Sequence, residues 1–497
     1  MKTKTQQPER VSRVNQWVIV IALLACYAYF FPRWADPNQN SRLDMIVAVV
    51  DDGTFMIDRY VSNTVDYAKV GEHYYSDKPP GSAFLGIPVY AGLKLVMDTP
   101  LVDRLVERLS SNAAFQATLK ADGSGVYTDK VRFALAQVAL TLVIPVAASV
   151  ILGLLLYRIL VDFHISPGLS LLVVLTYGLL TPAFAYAGAY YSHQLSAAFL
   201  VGAFALVKSD KVTRPGRLLL AGFLMGFAVL SEYSVILVAV ILFLYTLYRL
   251  VRLGVWKRAG WAALSAAAVG GALMAYNQAV FGGPFQLGYE YSELWKPQHQ
   301  TGFLSLTLPH PDAIWGITFS PFRGLFYLSP ILLLCIPGFV FWWQSRRNRA
   351  EFWVSLSTVL CMFLFNTSSV MWWGGFAVGP RYFLPAIPFI ALAVAFAAQA
   401  WGNRIWFKAA WVVLSIWSAV VTWGISLAGQ AFPSDLIQNP FLEYALPNWQ
   451  AGNIARNFGT IAGLKGAASL VPLAGLLIFV VSIWLAFRTR TEPRQVD

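Results

Sequence analysis

An all-α, polytopic membrane protein is the fold class this sequence predicts, and three observations predict it. Of 497 residues, 57% are hydrophobic and only 12% charged, far too apolar a balance for a soluble chain of this length. Runs approaching the roughly 20 apolar residues needed to cross a bilayer recur from end to end. Between them, short loops rich in Lys and Arg alternate with loops poor in both, the asymmetry that orients membrane proteins.

About twelve spans are expected, near 16–33, 131–158, 168–188, 193–207, 217–231, 234–250, 259–281, 325–343, 352–370, 382–401, 406–428 and 467–487. Lys2, Lys4, Arg10 and Arg13 precede the first and predict a cytoplasmic N-terminus. Threading from there puts the later basic clusters inside: Arg158; Lys208, Lys211, Arg214 and Arg217; Arg249, Arg252, Lys257 and Arg258; Arg346, Arg347 and Arg349; Arg404 and Lys408; Arg488, Arg490 and Arg494. An even span count with both termini cytoplasmic follows. The net charge of +12 is thus a matter of topology. Its scatter over short loops argues against nucleic acid as a partner. The run 17–31 leads into Phe31-Pro32-Arg33-Trp34 with no small-x-small site, so an uncleaved anchor is expected rather than a signal peptide. Cys26, Cys335 and Cys361 all fall in expected spans and offer neither a disulfide framework nor metal-ligand spacing.

The chain is expected to form one transmembrane domain. Three long segments, 34–130, 282–324 and 429–466, fall outside, none large enough for a separate catalytic domain. Chemistry is therefore expected where outer loops meet the spans. In the first loop, Ser41 can cap a helix beginning at Arg42. Leu43, Ile46, Val47 and Val50 share one face, with Asp44, Ala48, Asp51 and Asp52 towards another, and Gly53 ends it. This predicts an interfacial helix, apolar side to lipid. The stretch 81–97, interrupted by Pro88, predicts a second interfacial or re-entrant segment, and 110–130 an exposed loop.

Several residues here suit the handling of an anionic headgroup. Asp44 is a carboxylate at the membrane boundary, where it needs a partner or water, although it could simply complement the helix dipole. Asp51 and Asp52 adjoin a turn and read as solvated caps. Asp58 is a site candidate or a partner of Arg59. Lys78 is stiffened by Pro79 and Pro80, and an ammonium is a good phosphate ligand. His193, beside Tyr190, Tyr191 and Gln194, suits a polar pocket or ordinary packing. Glu232 needs a partner either way. Arg381 follows Trp372-Trp373-Gly374-Gly375; its planar fork suits phosphate and the glycines allow close approach.

The anchor, the outer loop with its acidic helix, the turn Tyr75-Ser76-Asp77-Lys78-Pro79-Pro80-Gly81 and about twelve spans together resemble the GT-C membrane glycosyltransferases. The nearest branch is glycosyltransferase family 39, with the protein O-mannosyltransferases and the aminoarabinose transferase of lipid A. Gly53-Thr54-Phe55 is similar to that family's Gly-x-aromatic. One departure is plain: many family members carry an Asp-Glu pair before the first interfacial helix, where this chain reads Asn40-Ser41-Arg42-Leu43-Asp44, which argues for a divergent subfamily. The resemblance implies a GT-C-like fold in the plasma (inner) membrane. It implies transfer of a sugar, with inversion, from a polyprenyl-phosphate carrier to a hydroxyl of a glycan, lipid or protein on the extracytoplasmic side. It makes Asp44 the base, with Asp58 as alternate. Lys78 and Arg381 would hold the leaving phosphate, and Tyr75, Asp77, Tyr191, His193 and Glu232 would complete the substrate site. A divalent metal is possible, though no ligand spacing demands one. The competing class is a lipid or glycolipid transporter, which should show paired broken helices in two related halves; a non-catalytic lipid-binding scaffold is a third.

Overall fold

The computed structural model describes residues 6–33, 36–110 and 130–491. Apart from one hairpin and isolated bridges, the described elements are helical. The fold class is as expected: seven helices are long and apolar enough to cross a membrane, namely Val131–Asp162, Tyr233–Arg252, Trp256–Phe281, Arg349–Ser368, Arg381–Trp401, Ile405–Leu427 and Gly466–Phe487. Five shorter apolar helices, Arg13–Ala28, Pro167–Leu180, His193–Lys208, Pro215–Ser231 and Pro330–Gln344, fall on the other expected spans. Twelve crossings therefore require the short helices to cross as well; length and composition alone support seven or eight. The segment Arg381–Trp401 is the packed centre, 89% enclosed, and Gly466–Phe487 the periphery at 11%. Helix His193–Lys208 touches Pro215–Ser231, Ala147–Asp162 and the turn Arg381–Ala386, so His193 and Arg381 meet at one end of the bundle.

The basic loops gather at the opposite end. Arg158 donates to Gln16, Lys208 pairs with Asp162, Arg249 donates to the Lys208 carbonyl, and Arg258 to that of Thr213. Trp484 donates to Asn15, bringing the last helix to the start of the first.

The first outer loop differs from expectation in three ways. Its helix begins five residues earlier, spanning Pro37–Val47, with Asp36 rather than Ser41 as cap. Proline at the first helical position presets the turn, and Asp36 Oδ1 accepts from the Asn38 and Gln39 amides at 3.1 and 3.4 Å. Ser41 instead shares a hydrogen bond with Ser76 at 2.9 Å. Second, the helix does not turn its apolar side to lipid: every residue from Asn38 to Val47 is buried in protein. Its polar side chains find partners there. Arg42 Nη1 donates to the Pro79 carbonyl and to Ser82, both at 3.1 Å, tying helix and Lys-Pro-Pro-Gly turn together. Third, Asp51 and Asp52 are not free caps; they pair with Lys94 at 2.6 Å and Arg59 at 3.1 Å. The helix does end at Gly53, whose φ of 68° suits glycine.

The hairpin of Ala68–Val70 and His73–Tyr75 turns at Gly71, φ 62°. Gly81–Met97 is a helix followed at 88° by Pro100–Arg108, the geometry of a re-entrant or broken segment. Most of the loop expected at 110–130 lies outside the described residues.

Candidate functional site

Three pieces of chain build a cleft at the end of the bundle away from the basic loops. Helix Pro37–Val47 contributes its N-terminus with Asp36. The tyrosine-rich entry to His193–Lys208 contributes Tyr191, and the loop before Arg381–Ala386 contributes Gly375 and Phe376. Asp66 and Trp295 complete the wall of a narrow space of about 10 Å³. Gly374 and Gly375 are both left-handed, at φ 73° and 64°. A Cβ on Gly374 would lie 2.9 Å from Arg381 Cγ, and one on Gly375 3.0 Å from the Trp295 ring. These glycines let the loop close over the arginine.

Arg381 is 7% exposed, and its Nε has no hydrogen-bond partner. Its guanidinium packs on Tyr191 and Tyr382, 5.7 and 5.2 Å from the ring centroids; no carboxylate lies within ion-pair distance among the described residues. Across the cleft, Asp36 is 2% exposed and receives the Tyr191 hydroxyl at 2.9 and 3.0 Å. Burial raises its carboxyl above the ordinary value, against the pull of Tyr191, the Gln39 amide, Arg381 and Arg33. Arg33 stacks on Phe432 at 4.6 Å with Nε and Nη2 unpartnered. Arg381 is thus a buried cation with no direct ion pair among the described residues, its charge offset at longer range by Asp36 and Asp66 of the same cleft.

Lys78 is placed differently from the expectation of a free phosphate ligand. It is 5% exposed, with Nζ 2.7 Å from Asp66 and 3.1 Å from Asp77. Burial works to raise the carboxyl of Asp66, but Lys78 overrides it and holds it below the ordinary value. Asp77, buried and beside the charge of Asp66, is pushed up to about 6 despite Lys78. The pair of carboxylates already neutralises the ammonium, which leaves Arg381 as the cation lining the cleft.

His193 and Glu232 lie behind Tyr191. Their Nδ1 and Oε2 are 3.1 Å apart, an ion-pair distance off the line of a hydrogen bond. Tyr186, Tyr191 and Tyr382 surround the imidazole at 5.7 to 6.2 Å, so the pair orients the tyrosine wall.

Of the nine expected residues Arg381 and Tyr191 line the cleft; Lys78, Asp77, His193 and Glu232 stand behind its wall, and the other three lie apart. Asp44 is wholly enclosed: Oδ1 accepts from Asn63 at 2.9 Å and Oδ2 has no partner. Burial drives its carboxyl well above the ordinary value. Asp58 lies on the hairpin surface, bound to His73 at 2.7 Å and the Tyr74 amide at 2.6 Å rather than to Arg59. Tyr75 packs in a separate apolar cluster against Phe281. Sequence reasoning passed over Asp36, Asp66 and Arg33. The Asp-Pro step at Asp36 was a readable helix start; Asp66 carries no local signal.

Asp36 and Asp66 are the carboxylates lining the cleft, and no three His, Cys, Asp or Glu side chains converge on a metal position among the described residues. A divalent ion here would have two protein ligands and depend on substrate oxygens for the rest.

No family model and no curated protein matches this chain. Two solved structures resemble it in overall course. One is the Archaeoglobus fulgidus oligosaccharyltransferase tethered to an acceptor peptide containing the NVT sequon, with a TM-score of 0.42 and 14% identity over 83% of this chain and 54% of that one. The other is the oligosaccharyltransferase AglB of the same organism with an inhibitory peptide and a dolichol-phosphate, with a TM-score of 0.42 and 12% identity over 90% and 56%. The chain spans about half the length of these proteins. Likeness at that level leaves function to be argued from the site.

Proposed function

We propose that this protein is an integral membrane glycosyltransferase of the GT-C kind. It moves a sugar, with inversion, from a polyprenyl-phosphate carrier to an acceptor hydroxyl on the extracytoplasmic side, and all twelve apolar helical segments cross the membrane. One observation carries the reading: Arg381, buried and with no carboxylate within ion-pair distance among the described residues, faces Asp36 across a cleft at the end of the bundle away from the basic loops. Basic loops favour the cytoplasmic side, which supports an extracytoplasmic cleft.

In this reading the carrier phosphate sits against Arg381, with Arg33 as second cation. Asp36 takes the proton of the acceptor hydroxyl. The acceptor oxygen bonds to the anomeric carbon as the carbon–oxygen bond to phosphate breaks, and that electron pair stays on the phosphate. A phosphate leaving group needs charge stabilisation more than protonation, so a single base suffices. Asp36 takes the base role in place of Asp44 or Asp58, because it has a cleft to act in and they do not. The triad of Asp66, Lys78 and Asp77 holds the neighbouring wall. At about 10 Å³ the cleft is far smaller than ordinary ligand pockets of roughly 300 Å³ and above, so donor entry requires the loop at 372–380 or Trp295 to move.

A transporter should present broken helices in both halves; among the described residues one bent pair occurs, Gly81–Met97 with Pro100–Arg108. The test is transfer or hydrolysis of radiolabelled polyprenyl-phosphate sugars by purified protein. Activity lost in Arg381→Ala supports the reading; a protein that binds no polyprenyl phosphate rejects it.

A further inference from the structure

We infer that a second cavity, walled by Trp315, Trp372 and Trp373, is a binding subsite for a neutral saccharide. As the acceptor end of the reaction it rests on the transferase reading; as a binding site it stands alone.

The cavity is open and about 480 Å³. Asp312, Ser320, Asp435 and Gln438 supply its polar lining. Trp315, on the helix Pro311–Thr318, is 59% exposed. Trp372 lies flat on that helix because residue 316 is glycine; a Cβ there would run into the indole. Phe322 braces the same ring edge-on at 5.9 Å, and Trp373 stands at 88° to it. The aromatic surfaces are thus held in place rather than loose.

The polar groups decide what they would bind. Neither the Asp312 nor the Asp435 side chain has an ion-pair or hydrogen-bond partner among the described residues, so both present bare acceptor oxygens. Trp373 Nε1 is itself enclosed by protein, so the indoles offer the cavity their apolar surfaces. A ligand that satisfies the set must donate to the carboxylates and cover the rings. A quaternary ammonium cannot donate, and a small protonated amine donates without a ring-sized apolar face. Sugar hydroxyls donate, and the apolar face of a sugar ring covers indole well.

The position is also informative. Arg323, wholly buried, donates to the Trp373 carbonyl at 3.2 Å, to that of Gly375 at 2.9 Å and to that of Ser434 at 3.4 Å. Trp373 lines the open cavity and Gly375 the arginine cleft, so the two spaces lie on either side of one clamped loop. A glycan seated on the tryptophans would lead towards Asp36.

The test uses the full chain in nanodiscs and neutral tetrasaccharides of glucose, mannose and galactose, read by saturation-transfer NMR. Saturable binding is expected for at least one, weakened roughly fivefold or more in Trp315→Ala and about tenfold in Asp435→Asn. Polyprenyl-phosphate binding should be unchanged in both variants, which also reports that they fold. The inference is overturned if none of the three binds, if Trp315→Ala binds as the parent does, or if tetramethylammonium binds with the same dependence on Trp315 and Asp435. If saccharide binds as expected but polyprenyl phosphate does not, the transferase reading falls and the subsite remains.

Discussion

Two aspartates eight residues apart have opposite surroundings, and that difference sets their roles. Asp44 is enclosed with one amide donor and no cation, and burial raises its carboxyl well above the ordinary value. Asp44→Asn preserves its shape and its accepting oxygen, so turnover should stay within a few-fold of the parent. Asp36→Asn removes a base in the cleft and should cost about 10²-fold or more in turnover, with donor affinity little changed; single-turnover transfer alongside equilibrium binding separates the two. The reverse ranking would return the base to Asp44. Arg381→Ala should weaken polyprenyl-phosphate binding by roughly 10- to 150-fold, the worth of a charge-assisted contact of about 1.5–3 kcal/mol. Arg381→Lys should rescue only part, because an ammonium lacks the planar fork. Asp77 gives a pH signature. Its carboxyl, at about 6 in the fold, holds its proton more tightly than in the unfolded chain, where it titrates near 4. Its contribution to stability is therefore gained as pH falls from about 6 to about 4 and lost as pH rises through 6. The melting temperature of the parent relative to Asp77→Asn should climb between pH 7 and pH 5; a gap independent of pH would count against the shift.

At the scale of elements, the cleft depends on a loop that only glycine permits. Gly374→Ala puts a methyl group against the Arg381 stem at a backbone angle of φ 73° that alanine resists. It should reduce donor binding and turnover together while Arg381 itself is intact. Gly92, with nothing within 4 Å of a new Cβ, is the control: Gly92→Ala should leave activity alone and add about 0.5–1 kcal/mol of stability within its helix. If Gly374→Ala binds donor normally, the loop does not position the arginine. These elements also mark what sequence could say. The spacing of Leu43, Ile46, Val47 and Val50 announces a helix, but its first turn is polar throughout, so apolar periodicity starts it late and misses Asp36. The same amphipathic pattern reads as a helix lying on lipid. Its burial comes from partners distant in sequence, Arg42 with Pro79 and Ser41 with Ser76, which no local window contains. Lys78 shows the limit from the other side. Its prolines rightly signal a fixed turn, but its partner Asp66 sits twelve residues away in an unpatterned stretch.

At the scale of the molecule, charge and apolar length were the readable quantities, because a bilayer imposes them along the chain rather than across the fold. Every expected span lies on an apolar helix, and the basic loops gather at one end through contacts such as Arg158 with Gln16 and Arg258 with Thr213. Which chemistry occupies the other end depends on side chains from distant segments, hence the uneven reading of the site. The orientation itself is testable. Leu308 and Leu436, 82% and 85% exposed, lie in the long loops at the cleft end; Asp210 and Lys257 lie in exposed loops at the basic end. With Cys26, Cys335 and Cys361 replaced, single cysteines at Leu308 and Leu436 should react with an impermeant maleimide in sealed right-side-out vesicles. Cysteines at Asp210 and Lys257 should react only after the vesicles are opened. The positive-inside preference holds for short loops such as these, so labelling at Asp210 or Lys257 in sealed vesicles would put the cleft on the cytoplasmic face. A cytoplasmic cleft could draw on soluble nucleotide-linked sugars, and the case for a polyprenyl-phosphate donor would lose its topological support.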